Sequence, residues 1–321
     1  MNQNQEEQGT ENQDEVYERL KASKFKQQKL PAWRPVPTIT STTITFISFG
    51  IIFIIIGIII LIYSNKIHEV SVRYDLECHD LNNATCEKEI KIDKKIEKKV
   101  MVYYQLNNFY QNHRRYVKSK SDDQLKGKDV SLKSIKDSGD CDPVITNKEM
   151  GVGGQKSAKG DSILKDEDLA IPCGLIAKSY FKDLFELFDD GGQKIEIDEK
   201  DIAWKADKEL KYKNNDLDKQ WIDMTNEHFI VWMRPSGLPN FRKLWGRINR
   251  DLEPGTYRVK IYNNFDVASF GGEKHFVLSN VNAFGGKNTF LAVSYIVVGV
   301  ICIILAIVFL IGYNIHQKKQ K

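Results

Sequence analysis

ITFISFGIIFIIIGIIILIY, Ile44–Tyr63, is a run of twenty residues without one charge. At about 1.5 Å of rise per residue a helix of that length reaches roughly 30 Å, the thickness of a bilayer's hydrocarbon core. Every other stretch is placed by the side of this run on which it falls. A second apolar run, Phe290–Gly312, lies near the other end of the chain. A cleaved signal peptide is a poor reading of Ile44–Tyr63: the run is too long, a polar tail precedes it, and Tyr63-Ser64-Asn65-Lys66 is a poor cleavage site. The expected organisation is a cytosolic tail at 1–43, disordered over 1–24 and basic-aromatic over 25–38. A first span at 44–63, a large domain at 64–289, a second span at 290–312 and a short tail at 313–321 follow.

The chain of 321 residues is 41% hydrophobic and 28% charged, averages that look soluble because two spans are diluted by a polar domain. A net charge of only +4 argues against a general nucleic-acid binder. Arg19, Lys21, Lys24, Lys26, Lys29 and Arg34 precede the first span, with no acid between Arg19 and Thr43; Lys318, Lys319 and Lys321 follow the second. The positive-inside rule then places both ends in the cytosol and the large domain in the lumen or outside. Cysteine usage agrees. Cys78, Cys86, Cys141 and Cys173 form an even set in the lumenal part, while Cys302 sits alone in the second span. Four cysteines allow three connectivities; Cys78–Cys86 with Cys141–Cys173 is preferred because each joins sequence neighbours. On the loop-entropy argument the two bridges contribute about 2.6 and 3.7 kcal/mol. The sequon Asn83-Ala84-Thr85 lies inside the smaller loop and marks Asn83 for glycosylation.

Met1–Asp14 is rich in Gln, Asn and Glu and has almost nothing apolar. FKQQKLPAWRPVPT (Phe25–Thr38) has three prolines and a Trp, which exclude a regular helix; Trp33 beside Arg34 suits the headgroup layer. Alternating apolar residues predict strands in Glu69–Leu76 and Glu89–Tyr104. In YYQLNNFYQNHRRYVK (Tyr103–Lys118), Asn107 or Asn108 is placed to cap a helix with Phe109, His113 and Tyr116 on one face. Ser119–Asp168 reads as a long exposed insertion, and Ile171–Phe188 repeats Ile176, Tyr180, Leu184 and Phe188 every four residues. Short strands are expected at Lys194–Ile197, Ile202–Trp204, Phe229–Met233, Thr256–Tyr262 and His275–Leu278. The pattern suggests an antiparallel β-sandwich with short helical additions, carried between two transmembrane α-helices.

No motif points to catalysis. Gly151–Ser157 resembles a phosphate loop but lacks a Gly before Lys156 and lies on the side away from cytosolic ATP. The six histidines form no metal spacing, and a G-x-S-x-G elbow is absent. The many acids of the lumenal part read as solvated surface. Neither span contains Asp, Glu, Lys, Arg or His, so two such helices offer a solute no polar path. They do carry small residues at heptad spacing, Thr43, Gly50, Gly57 and Ser64 in the first and Ala292, Gly299, Cys302 and Ala306 in the second. Gly57 and Gly299 are taken as candidate contacts with a partner's helix. The chain is expected to be no enzyme, to need no cofactor and no metal, and to borrow its chemistry.

FKQQKLPAWRPVPT (Phe25–Thr38), YYQLNNFYQNHRRYVKS (Tyr103–Ser119), IPCGLIA (Ile171–Ala177), EHFIVWMRPSGLPNFRKLWGRI (Glu227–Ile248), GTYRVKIYNNFDVASFGGEKHFVLS (Gly255–Ser279) and FGGKNTFL (Phe284–Leu291) together resemble one family. It is the Cdc-fifty/Lem-three family, the β-subunits of type-IV P-type ATPases that flip phospholipids between leaflets. The chain departs from the family pattern at Asp266, where Pro is usual, and at Lys182, where Asn is usual. The resemblance implies a two-span lumenal glycoprotein that covers the outer loops of a catalytic subunit as a heterodimer in a phospholipid bilayer. That subunit, not this chain, would bind ATP and move lipid. This chain would act as its chaperone, permit its export from the endoplasmic reticulum to Golgi, endosomes or plasma membrane, and support its cycle. By family position the contact regions are Leu30, Pro31, Trp33, Arg34 and Pro35 at the cytosolic face, and the blocks around Trp232–Arg234 and Phe241–Trp245, where Trp232 and Leu244 are better read as core. The competing reading is a free-standing anchored receptor or adhesion protein.

Overall fold

The computed structural model describes residues 16–30, 37–78, 84–281 and 285–320. The expectations placed on Met1–Asp14, on Pro31, Trp33, Arg34 and Pro35, and on Asn83 lie outside those residues. The chain divides into two compact units, one holding most of both apolar helices and the other residues Gly57–Val293. The apolar helices run Ile39–Asn65 and Thr289–Gln320, each long and apolar enough to cross a membrane. The tail expected to be disordered to residue 24 instead contains a helix at 16–22.

The second unit is a sandwich of two four-stranded antiparallel sheets. Its strands, in chain order, are β1 (Glu69–Arg73), β2 (Ala84–Ile92), β3 (Val100–Asn107), β4 (Leu184–Phe188), β5 (Lys194–Ile195), β6 (Phe241–Ile248), β7 (Gly255–Asn263) and β8 (Glu273–Ser279). One sheet has the order β1-β8-β3-β6 and the other β2-β7-β4-β5. Period two explains the inner faces. Val100, Val102, Tyr104 and Leu106 of β3 point inward, as do Tyr257, Val259 and Ile261 of β7. On the outer face of the β2–β7 pair, Glu87 stands opposite Lys260 and Glu89 opposite Arg258, so cross-strand charges agree with the register. Between the sheets the rings of Tyr104 and Phe181 stack at 3.9 Å, and Trp245 meets Phe185 edge-on at 5.1 Å.

Several local expectations give way. β3 runs on through Asn107, paired on both sides with β6 and β8, and the helix expected directly after Asn107 or Asn108 starts later. Asn108 then turns the chain at φ 62°, and only Arg114–Lys118 forms a helix. Phe109 and Tyr116 still meet, edge to face at 5.9 Å. In Ile171–Phe188 the helix is confined to Leu175–Lys178, and Leu184–Phe188 is β4. Phe229–Met233, expected as a strand, lies in the helix Glu227–Met233. Asn226 Oδ1 accepts from the His228 and Phe229 amides at 2.9 and 3.3 Å, and Phe229, Ile230 and Met233 share the buried face. Ile202–Trp204 is no strand; Trp204 leads into a helix at Lys205–Leu210.

Ser119–Asp168 is not an exposed loop. Short helices at Asp122–Leu125, Leu132–Ser138 and Asn147–Met150 bring Leu125, Ile135, Val144, Met150, Val152 and Leu164 into the core. The segment is bound to IPCGLIA by the Cys141–Cys173 bridge and by Gln124, whose side chain accepts from Cys173 N at 3.0 Å and donates to Ala170 O at 3.2 Å. Gly174 sits at φ 103°, and a Cβ there would lie 2.1 Å from Ser119 O, so no other residue fits. The second bridge joins Cys78 to Cys86 of β2.

The acids are not all solvated surface either. Asp183 and Lys274 are fully buried and paired at 2.8 Å. One carboxylate oxygen accepts from the Asn264 and Phe265 amides at 2.6 and 2.7 Å; the other accepts from Tyr74 Oη at 2.7 Å and from Lys274 Nζ. The ammonium donates further to Asn263 Oδ1 and to Phe265 O, so its three protons are all placed. Burial, then the Asp183 charge, holds the Tyr74 hydroxyl well above the usual phenol range, so it stays a donor. Asp183→Asn, which strands the Lys274 charge, is expected to cost about 3–5 kcal/mol of the sandwich domain's stability. Thermal unfolding of the detergent-solubilised protein checks this; a loss under about 1 kcal/mol would show that the pair is dispensable.

Candidate functional site

Among the described residues no three His, Cys, Asp or Glu side chains come together as a metal group. The His228 ring is hydrogen-bonded to Glu199 at 2.8 Å and packs at 4.0 Å on Trp245; His275 is held by Glu273. Each of these imidazoles is engaged by a carboxylate. What the described residues do present is a set of faces suited to packing against something else.

The first is the seam of the spans. Thr43, Gly50, Gly57 and Ser64 are buried in the first helix, and Ala292, Gly299 and Ala306 in the second, each stripe repeating every seventh residue. That is the spacing of left-handed helix pairing. Phe46 meets Phe309 and Phe53 meets Tyr295, both at 5.8 Å, so the helices run antiparallel. At their closest approach a Cβ on Gly50 would lie 2.9 Å from Gly299 O, and one on Gly299 would lie 2.8 Å from Gly50 O and 2.7 Å from Ile54 Cγ1. Backbone meets backbone, which only glycine permits. Gly299, expected against a foreign helix, therefore faces the chain's own first span. Ile51, Ile55, Ile58, Ile62, Val297, Ile301 and Ile304 point away from the seam and are exposed.

The second face is on the β-sandwich domain. Trp232, Phe241 and Trp245 are buried, and Trp232 Nε1 donates to Ile176 O at 2.8 Å, so these parts of the expected contact blocks are core. Arg234 is exposed and lies 3.9 Å over the ring of Trp204, itself 66% exposed. The buried carboxylate of Asp207 stands 3.7 Å behind Arg234 and 2.6 Å from Lys211. Two adjoining clefts of ≈ 350 and ≈ 280 Å³ share Asp207, Arg234 and Pro235. The larger is lined also by Tyr103, Ile202, Trp204, Ile230, Lys243 and Leu244. Lys243 donates to the carbonyls of Val231, Trp232 and Arg234 and so caps the end of the Glu227–Met233 helix. Its burial, helped by the Arg234 charge, pushes the ammonium down to about 7. Arg242 is spent on Glu69, with contacts of 2.6 and 2.8 Å. Arg234 is an exposed cation that both clefts share. The sequence pattern puts Trp204 at a strand end; a lone Trp in the charged run DIAWKADK is the available signal for an exposed ring.

The third is the tail before the first span, where Leu30 is exposed. Comparison with known proteins gives a match to the LEM3 (ligand-effect modulator 3) family / CDC50 family over residues 60–319. The chain is similar to ALA-interacting subunit 3 of Arabidopsis thaliana, with 39% identity over 94% of this chain and 88% of that one. It is also similar to Cell cycle control protein 50A of Bos taurus, 36% identical over 89% of this chain and 87% of the relative, and to Cell cycle control protein 50B of Homo sapiens, 32% identical over 92% and 94%.

The seam makes a direct prediction. With Phe46→Cys and Phe309→Cys introduced together, oxidation is expected to cross-link the spans efficiently, and adding Gly299→Leu should cut the yield several-fold. Equal yields with and without Gly299→Leu would show that the glycine contact does not hold the pair.

Proposed function

We propose, from the premise that this chain belongs to the LEM3/CDC50 family, that it is the non-catalytic β-subunit of a phospholipid-flipping P-type ATPase. The observation that carries the reading is likeness along nearly the whole chain to a relative whose name makes it a subunit that interacts with ALA. Physical features support it. Two spans without Asp, Glu, Lys, Arg or His offer a lipid headgroup no polar path, while the ectodomain is stapled by two disulfides and bolted by a buried ion pair. A rigid domain held to the membrane at both ends suits a partner that must be kept folded through a cycle.

In this reading the ectodomain lies outside the cytosol, and the cleft around Arg234 and Trp204 meets a lumenal loop of the pump. The tail residues Leu30, Pro31, Trp33, Arg34 and Pro35 engage the pump's cytosolic side. Gly57 and Gly299 contribute through the helix pair, whose outward faces are what a pump helix would touch. Binding to the native pump and not to its unfolded form raises the pump's stability by mass action and so favours export.

Mild detergent extraction and pull-down test the proposal. A large companion that forms an acid-stable, hydroxylamine-labile aspartyl-phosphate is the expected catch. Recovery and surface delivery of this chain in cells lacking every such pump would favour a free-standing receptor instead. Trp204→Ala with Arg234→Ala should lower recovery of the companion while shifting ectodomain stability by no more than about 1 kcal/mol, the worth of an exposed cation–π pair. Trp33→Ala with Arg34→Ala should lower the complex's ATP turnover and leave ectodomain unfolding unchanged. Wild-type turnover by that variant would remove the tail from the mechanism.

A further inference from the structure

The tail before the first span has a pattern that assembly with a pump does not account for. Residues 16–22 form a helix, closed by a turn over 24–28. Gln27 N donates to Ser23 O at 3.0 Å, Lys29 N to Lys24 O at 2.8 Å, and the Gln27 side chain reaches back to Leu20 O at 3.2 Å. At about 100° per residue, Val16, Leu20 and Tyr17 fall within one arc of about 100°. All three are exposed, as are Phe25 and Leu30, the former at 75%. Arg19 borders one side of the arc and Lys21 the other, while Glu18 lies on the opposite face. Lys24, Lys26 and Lys29 follow, so residues 16–30 carry five cations against one carboxylate.

We propose that residues 16–30 are an in-plane anchor that lies on an anionic phospholipid leaflet, with Val16, Tyr17, Leu20 and Phe25 among the upper acyl chains and the lysines at the phosphates. Two observations select a bilayer as the occupant. The apolar strip is narrow and has cations on both edges, which a uniformly negative surface satisfies on both sides at once, whereas a protein groove would need an acid on each wall. The tether is short as well: residues 31–38 separate this segment from the helix that begins at Ile39, and eight extended residues span at most about 29 Å. The strip is thus held beside the membrane that the next segment enters. In the orientation proposed above, the leaflet it meets is the cytosolic one.

The test uses the full chain alone in lipid nanodiscs. Both faces of a disc carry the same lipid, so the result depends neither on orientation nor on a pump. With Cys302→Ser as background, a nitroxide is placed in turn by Val16→Cys, Glu18→Cys, Leu20→Cys and Ala22→Cys. In discs of about one-third phosphatidylserine, positions 16 and 20 should be several-fold more accessible to oxygen, relative to a water-soluble nickel reagent, than 18 and 22. The contrast should vanish in phosphatidylcholine discs and in about 1 M salt, where the screening length falls to about 3 Å. It should also vanish when Lys21, Lys24, Lys26 and Lys29 are all changed to Gln, with ectodomain unfolding unaltered. Equal accessibility at all four positions in the anionic discs would overturn the proposal. So would an unchanged contrast in neutral discs, survival of the contrast in the glutamine variant, or a contrast that arises only when a protein companion is added.

Discussion

The sandwich domain depends on one buried charge pair, Asp183 with Lys274. Removing Asp183 and Lys274 from water is costly, and their mutual attraction offsets that cost only if every remaining lone pair and proton is matched. Here the carboxylate has four donors and the ammonium three acceptors, drawn from both sheets: Lys274 from β8, Tyr74 just after β1, Asn263 at the end of β7, and Asp183 just before β4. Asn263 also donates to Cys78 O at 2.7 Å, which ties the pair to the smaller disulfide. A hydrophobic core alone tolerates small slips between layers. A saturated charge pair does not, because any slip leaves an ion without its partner in a medium that cannot solvate it.

What the amino-acid order reveals follows from the range of the forces involved. The spans are legible because twenty successive residues without a charge suit a bilayer and little else. β1 and the β2–β3 region are legible through alternating apolar residues, and β5, β7 and β8 as short strand-like runs. Glu227–Met233 misleads since Val, Ile, Phe and Trp favour strands in isolation, and the Asn226 cap and a buried face decide otherwise. β6, FRKLWGRI, escapes notice because Arg242, Lys243 and Arg247 interrupt its apolar residues. Ser119–Asp168 looks exposed because its core residues are sparse and separated by lysines and aspartates. Asp183 and Lys274 are invisible for a different reason: an acid and a base ninety-one residues apart look like any other acid and base. The small-residue stripes are plain in the sequence, yet nothing in their spacing says whose helix fills them.

Two kinds of contact emerge with different chemistry. The seam between the spans is made of glycine backbone, aliphatic side chains and aromatic rings, all supplied by the chain itself. The Arg234–Trp204 face is a stacked cation set beside clefts that are open to solvent, where the exposed pair adds little to stability and is free to serve recognition. Family membership is read over most of the chain, so the two kinds of contact belong to one plan of anchors and stapled domain.

The strand order β1-β8-β3-β6 sets a schedule for biosynthesis. Glu273–Ser279, the latest in chain order of the described strands, has its place between the first and the third, pairing Glu69 with Ser279 on one side and Met101 with Ser279 on the other. Until that strand has been made, both β1 and β3 therefore keep an open edge. The newborn domain must wait as a split sheet, its open edges available to folding helpers, and closes only when β8 arrives to fill the gap.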